Sequence, residues 1–356
     1  MSKAMPFWLS LLFLPIFAIG AIFGGWTLLL MPAFGWVLVS VMDLVVGRDT
    51  ENMDPMTPDD DLYWYRLVTL IWFPLQLVVQ VSAVTVIALT DHLSFGEKVG
   101  LFFGVGIVSG TIGINYAHEL MHQSSRLERW MADLLMTSVL YGHFRSEHLL
   151  VHHRYIGTPR DPVTARYNEG FHRFFPRVLR QCFGSALRAE TEMLARKQSS
   201  AWSLQNPFWK YFALQFGFLF IAYQIAGFAG VGFWMFQAFI AVWQLELVNY
   251  IEHYGLTRKL KDDGKYEPVR PHHSWNASHR VSNWLLINLQ RHSDHHYKPD
   301  RRFPVLQNYD VSEAPQLPHG YPVMTVLAMV PPLWRRVMNR KVRKWRATYY
   351  PEITKW

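Results

Sequence analysis

The sequence is poor in cysteine: its 356 residues include only Cys182. A disulfide framework needs at least two cysteines, and an iron–sulfur cluster or a cysteine-ligated zinc site needs several thiolates. A glycine-rich dinucleotide fingerprint is also missing from the chain. Redox chemistry in this protein would therefore need other ligands and electrons from outside.

Acidic residues are few as well, 27 against 35 Lys and Arg, which gives a formal net charge of +8. The basic residues form neither a charged arm nor a recognisable nucleic-acid-binding fold. We therefore predict no nucleic-acid partner and look to membrane topology for the origin of the charge.

Long apolar runs are abundant, although the mean hydropathy is only +0.03 because polar residues are confined to particular stretches. A bilayer-spanning helix takes about 20 apolar residues. By that measure we predict an all-α, integral membrane six-helix bundle. Its spans cover about 7–27, 29–46, 66–90, 97–116, 211–228 and 230–250. The first run lacks a convincing cleavage site and is followed at once by the second, so we expect a retained helix and not a removed signal peptide.

The distribution of basic residues predicts the orientation. Twelve Lys and Arg lie in 117–207 and eighteen in 255–356, whereas the turn 91–97 has none. The positive-inside rule places both polar regions and both termini in the cytoplasm, as expected for a multi-pass protein of a bacterial-type inner membrane. The acidic loop 48–61 would also be cytoplasmic, which counts slightly against this orientation. No linker separates a second domain, so we predict one membrane-embedded domain over 1–356.

Histidines gather in four short groups. His118 and His122 follow the fourth span, and His253 follows the sixth. The other two groups are His148-Leu-Leu-Val-His152-His153 and His292-Ser-Asp-His295-His296. Residues three or four apart lie on one helix face with Cβ atoms about 5–6 Å apart, so their imidazoles can converge on metal. The seven remaining histidines, namely His92, His143, His172, His272, His273, His279 and His319, are expected to be ordinary structural residues.

The first group alone also matches the H-E-x-x-H pattern of zinc proteases, with Glu119 as the general base. Nine imidazoles, however, exceed what one tetrahedral zinc can use. Two metals with four or five nitrogens each fit the count, and imidazole suits zinc, copper, iron and nickel alike. We therefore predict a cytoplasmic, His-rich helical cap that holds two metals. Glu119, Glu147, Glu252 and Asp294 lie near the histidines, and we expect them to orient the ligand rings.

At this point the chain resembles the membrane-bound alkane hydroxylases (alkane 1-monooxygenases), relatives of the integral-membrane fatty acid desaturases and hydroxylases. The resemblance covers roughly residues 30–340. It rests on 249–255 and 289–296, and it extends to Tyr141-Gly-His-Phe144, Thr158-Pro-Arg-Asp-Pro162 and the run 272–276. Gln123 and Val151 depart from the commoner pattern, where Lys and Gly are frequent.

The resemblance implies two non-haem iron ions and hydroxylation of the terminal carbon of an alkane with O2. The implied iron ligands are His118, His122, His148, His152, His153, His253, His292, His295 and His296. It also implies an apolar chain as substrate, and it fits a separate rubredoxin-like electron carrier with its reductase. We expect that carrier to dock on cytoplasmic basic residues, including Arg301, Arg302, Arg335, Arg336, Arg340, Lys341, Arg343 and Lys344, although the 335–344 tail could instead lie on anionic lipid.

Three alternatives stay open. A desaturase or aryl-methyl hydroxylase would use the same site with a different channel. A membrane zinc protease would need only the first group and one more ligand. A metal-handling protein should instead place ligands within the spans.

Overall fold

The computed structural model describes residues 2–353, and in that range the regular structure is helical, with a few isolated β-bridges. We number the main helices in chain order. The first four are α1 (Ser2–Phe23), α2 (Gly25–Val46), α3 (Asp59–Leu89) and α4 (Phe95–Met121). The next are α5 (Arg126–Ser138), α6 (residues 144–155), α7 (Phe171–Arg196) and α8 (Pro207–His253). The last are α9 (Arg280–Leu285), α10 (His292–Tyr297), α11 (Tyr321–Ala328) and α12 (Pro331–Tyr349).

Five of these helices, α1 to α4 and α8, are long and apolar enough to cross a membrane. The prediction of a membrane protein built from helices is confirmed. Large apolar side chains such as Phe23, Leu44 and Phe216 are exposed on them, as expected for surfaces that face lipid instead of water.

Helix α8 reverses direction at its middle. Its 47 residues would extend about 70 Å if straight, more than twice the hydrocarbon thickness of a bilayer. Ala226 and Gly227 have non-helical backbone angles, and Gly227 lies at φ +59°, where glycine is favoured. Phe218 and Trp234, sixteen positions apart, stack with ring centroids 5.8 Å apart. The turn divides α8 into two limbs that pack against each other.

The end of α5 is buried inside the helix bundle, and no sequence pattern predicts this burial. A buried helix end leaves carbonyl groups that need donors. Trp234 Nε1 and Gln237 Nε2 donate to the Ser138 carbonyl at 2.9 and 3.3 Å. Gln76 Nε2 donates to the Ser138 hydroxyl at 3.0 Å. Polar side chains of α3 and α8 thereby satisfy the helix end.

The polar half of the chain forms a second core against the end of α8. One face of α12 is fully inside it: Trp334, Met338 and Val342 are buried. Tyr250 of α8 packs on Trp334 with ring centroids 5.1 Å apart. This core includes Leu247, Tyr250 and Ile251 of α8, and it therefore holds the end of α8 that carries His253.

Candidate metal centre

Helix α4 supplies the first two histidines. His118 and His122 are one turn apart, and their ring centroids are 5.4 Å apart. A π-helical segment, Ser109–Ile114, precedes them. Such segments often lie near functional sites because they reset which residues share a helix face.

Helix α6 has a π-helical segment of its own, His148–His152. In a π-helix the hydrogen bond runs from residue i to residue i+5, so residues five apart come into line. His148 and His153 are five apart, and their Nε2 atoms lie 2.9 Å from each other. The local backbone therefore explains how three histidines of one short helix reach a shared centre.

The remaining four histidines come from α8 and α10. His253 is the last residue of α8, and its Nε2 lies 3.1 Å from that of His292. His292 and His296, one turn apart on α10, have Nε2 atoms 3.0 Å apart. All nine histidines singled out in the sequence thus come together.

They form two groups. One contains His118, His122, His148 and His295, and the other contains His152, His253, His292 and His296. Within each group the ligand nitrogens lie within 4.8 Å of one another. Metal–nitrogen bonds are about 2.1 Å long, so small shifts of the rings would bring the four nitrogens of a group onto one ion. Each group therefore has the residues and the spacing to hold one metal ion.

His153 lies between the two groups. Its Nε2 is 2.9 Å from that of His148 and 3.1 Å from that of His295, both in the first group. Its ring centroid is 4.5 Å from that of His296, in the second. It is positioned to add a fifth nitrogen to the first group or to contact both.

The charge state of the histidines suits metal binding. Burial lowers the pKa of His148, His153, His295 and His296 well below the ordinary value, and the neighbouring histidines lower it further. The rings are therefore neutral at pH 7. Neutral imidazole is the form that coordinates metal.

Asp161 contacts a ligand ring, although the sequence reasoning did not single it out. Its Oδ2 accepts a hydrogen bond from His152 Nδ1 at 3.0 Å and another from Thr164 Oγ1 at 2.6 Å. Both residues are buried. A carboxylate on the outer ring nitrogen fixes the tautomer and the orientation of a ligand. The segment 158–162, which contains Asp161, is part of the family resemblance, but no role was predicted for any of its residues.

The four carboxylates predicted to orient ligands have other contacts. Glu119 accepts from Gln123 Nε2 at 3.0 Å, and Glu147 is fully buried. A Glu252 oxygen lies 3.3 Å from His292 Nε2, the nitrogen that faces the group. Their orienting role remains a prediction.

Asp294 serves the fold around α10. Its carboxylate accepts from Arg301 and from the Tyr309 hydroxyl, each at 2.7 Å. It also accepts from the backbone N–H of Gln307 at 3.0 Å. The predicted orienting role of Asp294 likewise remains a prediction.

The seven other histidines lie outside both groups. His92 Nε2, for example, lies 3.0 Å from the Ala21 carbonyl, and His273 Nε2 lies 2.8 Å from the Tyr350 hydroxyl. These contacts are those of structural histidines, as predicted.

An apolar tunnel leads to the histidines from the membrane-spanning helices. It is narrow, with a volume of about 70 Å³. Leu245, Val248 and Leu285 are among its apolar lining residues, and His118, His148 and His292 lie along it. Of two aromatic residues considered for this role from sequence, Trp36 lines the tunnel, whereas Phe34 packs edge-on against Phe13.

A second, polar cleft reaches His122 from another side. Three loops form it: residues 55–62, residues 123–129 and residues 297–305. Its volume is about 820 Å³.

The fold and site define a class: an all-helical membrane protein with two all-histidine groups, each with the spacing to hold a metal ion, beside an apolar tunnel. A family described as fatty acid desaturase matches residues 98–328. Alkane 1-monooxygenase 2 of Alcanivorax borkumensis is 38% identical over 325 residues, 88% of this chain and 82% of its own length. Alkane 1-monooxygenase 2 of Pseudomonas aeruginosa is 39% identical over 333 residues, 90% and 88% of the two chains.

A more distant relative is the hydroxylase component of the xylene/toluene monooxygenase of Pseudomonas putida. It is 31% identical over 259 residues, 71% of this chain and 67% of its own length. The chain belongs to the fatty acid desaturase family and, within it, to the alkane 1-monooxygenases.

Proposed function

We propose that this protein is an alkane 1-monooxygenase that hydroxylates the terminal carbon of an alkane with O2. The observation that carries the proposal is the apolar tunnel that ends at His118, His148 and His292, beside two all-histidine metal sites. A methyl group offers no acidic proton and no leaving group, so acid–base or nucleophilic catalysis has nothing to act on. Oxidation of such a methyl group therefore requires a redox metal that activates O2. The named relatives are alkane 1-monooxygenases.

Two iron ions would be held by the nine histidines. We assign His118, His122, His148 and His295 to one iron, and His152, His253, His292 and His296 to the other, with His153 between them. When bound, the iron pair supplies the activation of O2. The donor set, all nitrogen and held neutral by burial, fits ferrous iron.

The protein's own residues position the substrate and exclude water. Two polar side chains of the tunnel wall are paired: Thr111 Oγ1 donates to Gln244 Oε1 at 2.9 Å, and Asn115 Nδ2 donates to the Leu286 carbonyl at 2.8 Å. Because these groups are already hydrogen-bonded, an alkyl chain can pass them without leaving them unsatisfied. Because terminal C–H bonds are stronger than internal ones, terminal attack requires that a narrow tunnel present only the chain end.

We further propose six membrane crossings, with α8 contributing two because it reverses at Ala226 and Gly227. An even number places both termini on one side. The basic residues of 117–207 and 255–356 then place the histidines on the cytoplasmic side of a bacterial-type inner membrane. This topology keeps the whole chain one membrane-embedded domain.

Electrons would come from a rubredoxin-like carrier and its reductase, docked on the cytoplasmic face. On α12, Arg336, Arg340, Arg343 and Lys344 are exposed along one side, while the opposite side is buried in the second core. Because the apolar side of α12 is buried in the second core, this helix cannot insert that side into lipid. The exposed basic side is therefore more consistent with binding a protein partner than with lying on lipid headgroups. Arg302, also expected on this docking surface, is instead buried and paired with Asp59 and Glu128.

The experiment that tests the function measures the product formed from n-octane. Purified protein with reduced rubredoxin and O2 should yield 1-octanol. Desaturated product, or no product from an iron-loaded preparation, would contradict the proposal. Toluene is tested in parallel, since preferential oxidation of toluene would instead indicate the function named for the xylene/toluene relative.

A further inference from the structure

Two separate cavities reach the two histidines of α4. His118 lines the apolar tunnel, and His122 lines the polar cleft. The two residues are four positions apart, about 6 Å along the helix axis. The same metal group is therefore approached from the apolar bundle on one side and from a polar space on the other.

The cleft is walled by charged side chains. Its lining includes the cations Arg129, Lys298, Arg301 and Arg302 and the carboxylates Asp59 and Asp300. Arg302 is also paired with Glu128, and Arg301 with Asp294, so four cations face four carboxylates. A wall of charged and polar groups favours water and small ions over apolar molecules.

The cationic groups are held in place by the loops that carry them. Arg129 donates to the Gln123 carbonyl at 3.0 Å and also to the Ser124 carbonyl. Arg302 donates to Asp59 and Glu128 at 2.8 to 2.9 Å. The cleft is thus a built feature of three loops that pack on one another.

We propose that the polar cleft is a second portal to the metal centre, through which water, protons and small inorganic anions reach the His122 side. This inference rests on the proposed function. Each hydroxylation consumes two protons and two electrons with O2 and releases one water molecule beside the alcohol. Transfer of polar species through the dry tunnel is unfavourable. An anion that uses the portal does not compete with the alkane.

Azide is the probe, and its binding to the iron-loaded protein is followed by its absorption. Ser124 is exposed at the cleft, so Ser124→Trp narrows it without touching a histidine. We expect azide association to slow about tenfold or more, a rise of about 1.4 kcal/mol in the barrier. Ser125→Trp is the matched control, because Ser125 is the next residue but does not line the cleft; it should leave the rate unchanged.

The tunnel is tested in the same way. Val248 lines it, so Val248→Phe should raise the KM for n-octane and leave azide association unchanged. Saturating n-octane should likewise leave the azide rate unchanged in the wild type. Slowing of azide by Val248→Phe or by octane, or no slowing by Ser124→Trp, would overturn the proposal.

A second readout uses the metal-free protein and does not depend on iron or activity. Diethyl pyrocarbonate should modify His122 before His118, as read by mass spectrometry, and Ser124→Trp should protect His122. Equal modification of both residues would refute the portal. Because iron content and octanol formation are measured on the same preparations, failure of the proposed function and failure of the portal give different results.

Discussion

Asp161 offers a sharp test of how the second histidine group is built. Its carboxylate accepts a hydrogen bond from the outer nitrogen of His152 at 3.0 Å, and both groups are buried. Loss of such a partner typically weakens metal binding about 10- to 100-fold. That range corresponds to about 1.4 to 2.8 kcal/mol.

Asp161→Asn and Asp161→Ala should lower the metal affinity by different amounts within this range. Asp161→Asn keeps an acceptor oxygen for His152 but loses the charge, so we expect a loss of metal affinity near tenfold. Asp161→Ala removes the acceptor as well, so the loss should approach 100-fold. Only the group that contains His152 should be affected, and the protein should retain about one metal per chain under conditions where wild type holds two.

The assay is titration of metal-free protein with ferrous iron, read as metal bound per folded chain. Asp43→Asn is the control: Asp43 is also buried, but its carboxylate accepts from the backbone N–H groups of Val281 and Ser282. It should leave both affinities within about twofold, a few tenths of a kcal/mol. Equal weakening by Asp161→Asn and Asp43→Asn, or full binding of two metals by Asp161→Ala, would refute the reasoning.

Three further outcomes are expected. His292→Ala should lower the bound iron, measured by metal analysis, and abolish octanol formation, measured by product assay. His92 lies outside both groups, so His92→Ala should change neither quantity. Wild-type iron content in His292→Ala would contradict the ligand assignment. The turnover rate at limiting carrier should fall steeply as ionic strength rises, because the Debye length shrinks from about 10 Å at 0.1 M. The turnover rate at saturating carrier should change little. A salt-independent rate at limiting carrier would contradict electrostatic docking of the carrier. Burial raises the pKa of Glu267, but hydrogen bonds from His273, the Lys259 backbone and Tyr350 outweigh it and lower the pKa to about 2. This stabilisation is present above the unfolded pKa of about 4.5 and is lost as pH falls toward 2, so the wild-type stability advantage over Glu267→Gln should shrink in that window in thermal unfolding experiments.

The sequence was most informative for features that depend on residues close together in the chain. Apolar runs predicted the membrane helices because lipid selects composition over about 20 residues. The spacing of nine histidines predicted which side chains converge, since residues three or four apart share a helix face.

The sequence was silent where contacts join distant segments. The buried end of α5 depends on Gln76 and Gln237, which come from different helices. Asp161 reaches His152 because the loop after α6 folds back, and no periodicity marks that contact. The π-helical segment that aligns His148 with His153 likewise has no pattern in the sequence. The division of the histidines into two groups needed the structure for the same reason.

Whether the nine histidines hold two iron ions is tested most directly by the metal content per chain of purified, catalytically active protein. We expect two iron atoms per chain, falling toward one in Asp161→Ala. A single tightly bound zinc in active protein, with iron absent, would contradict this expectation.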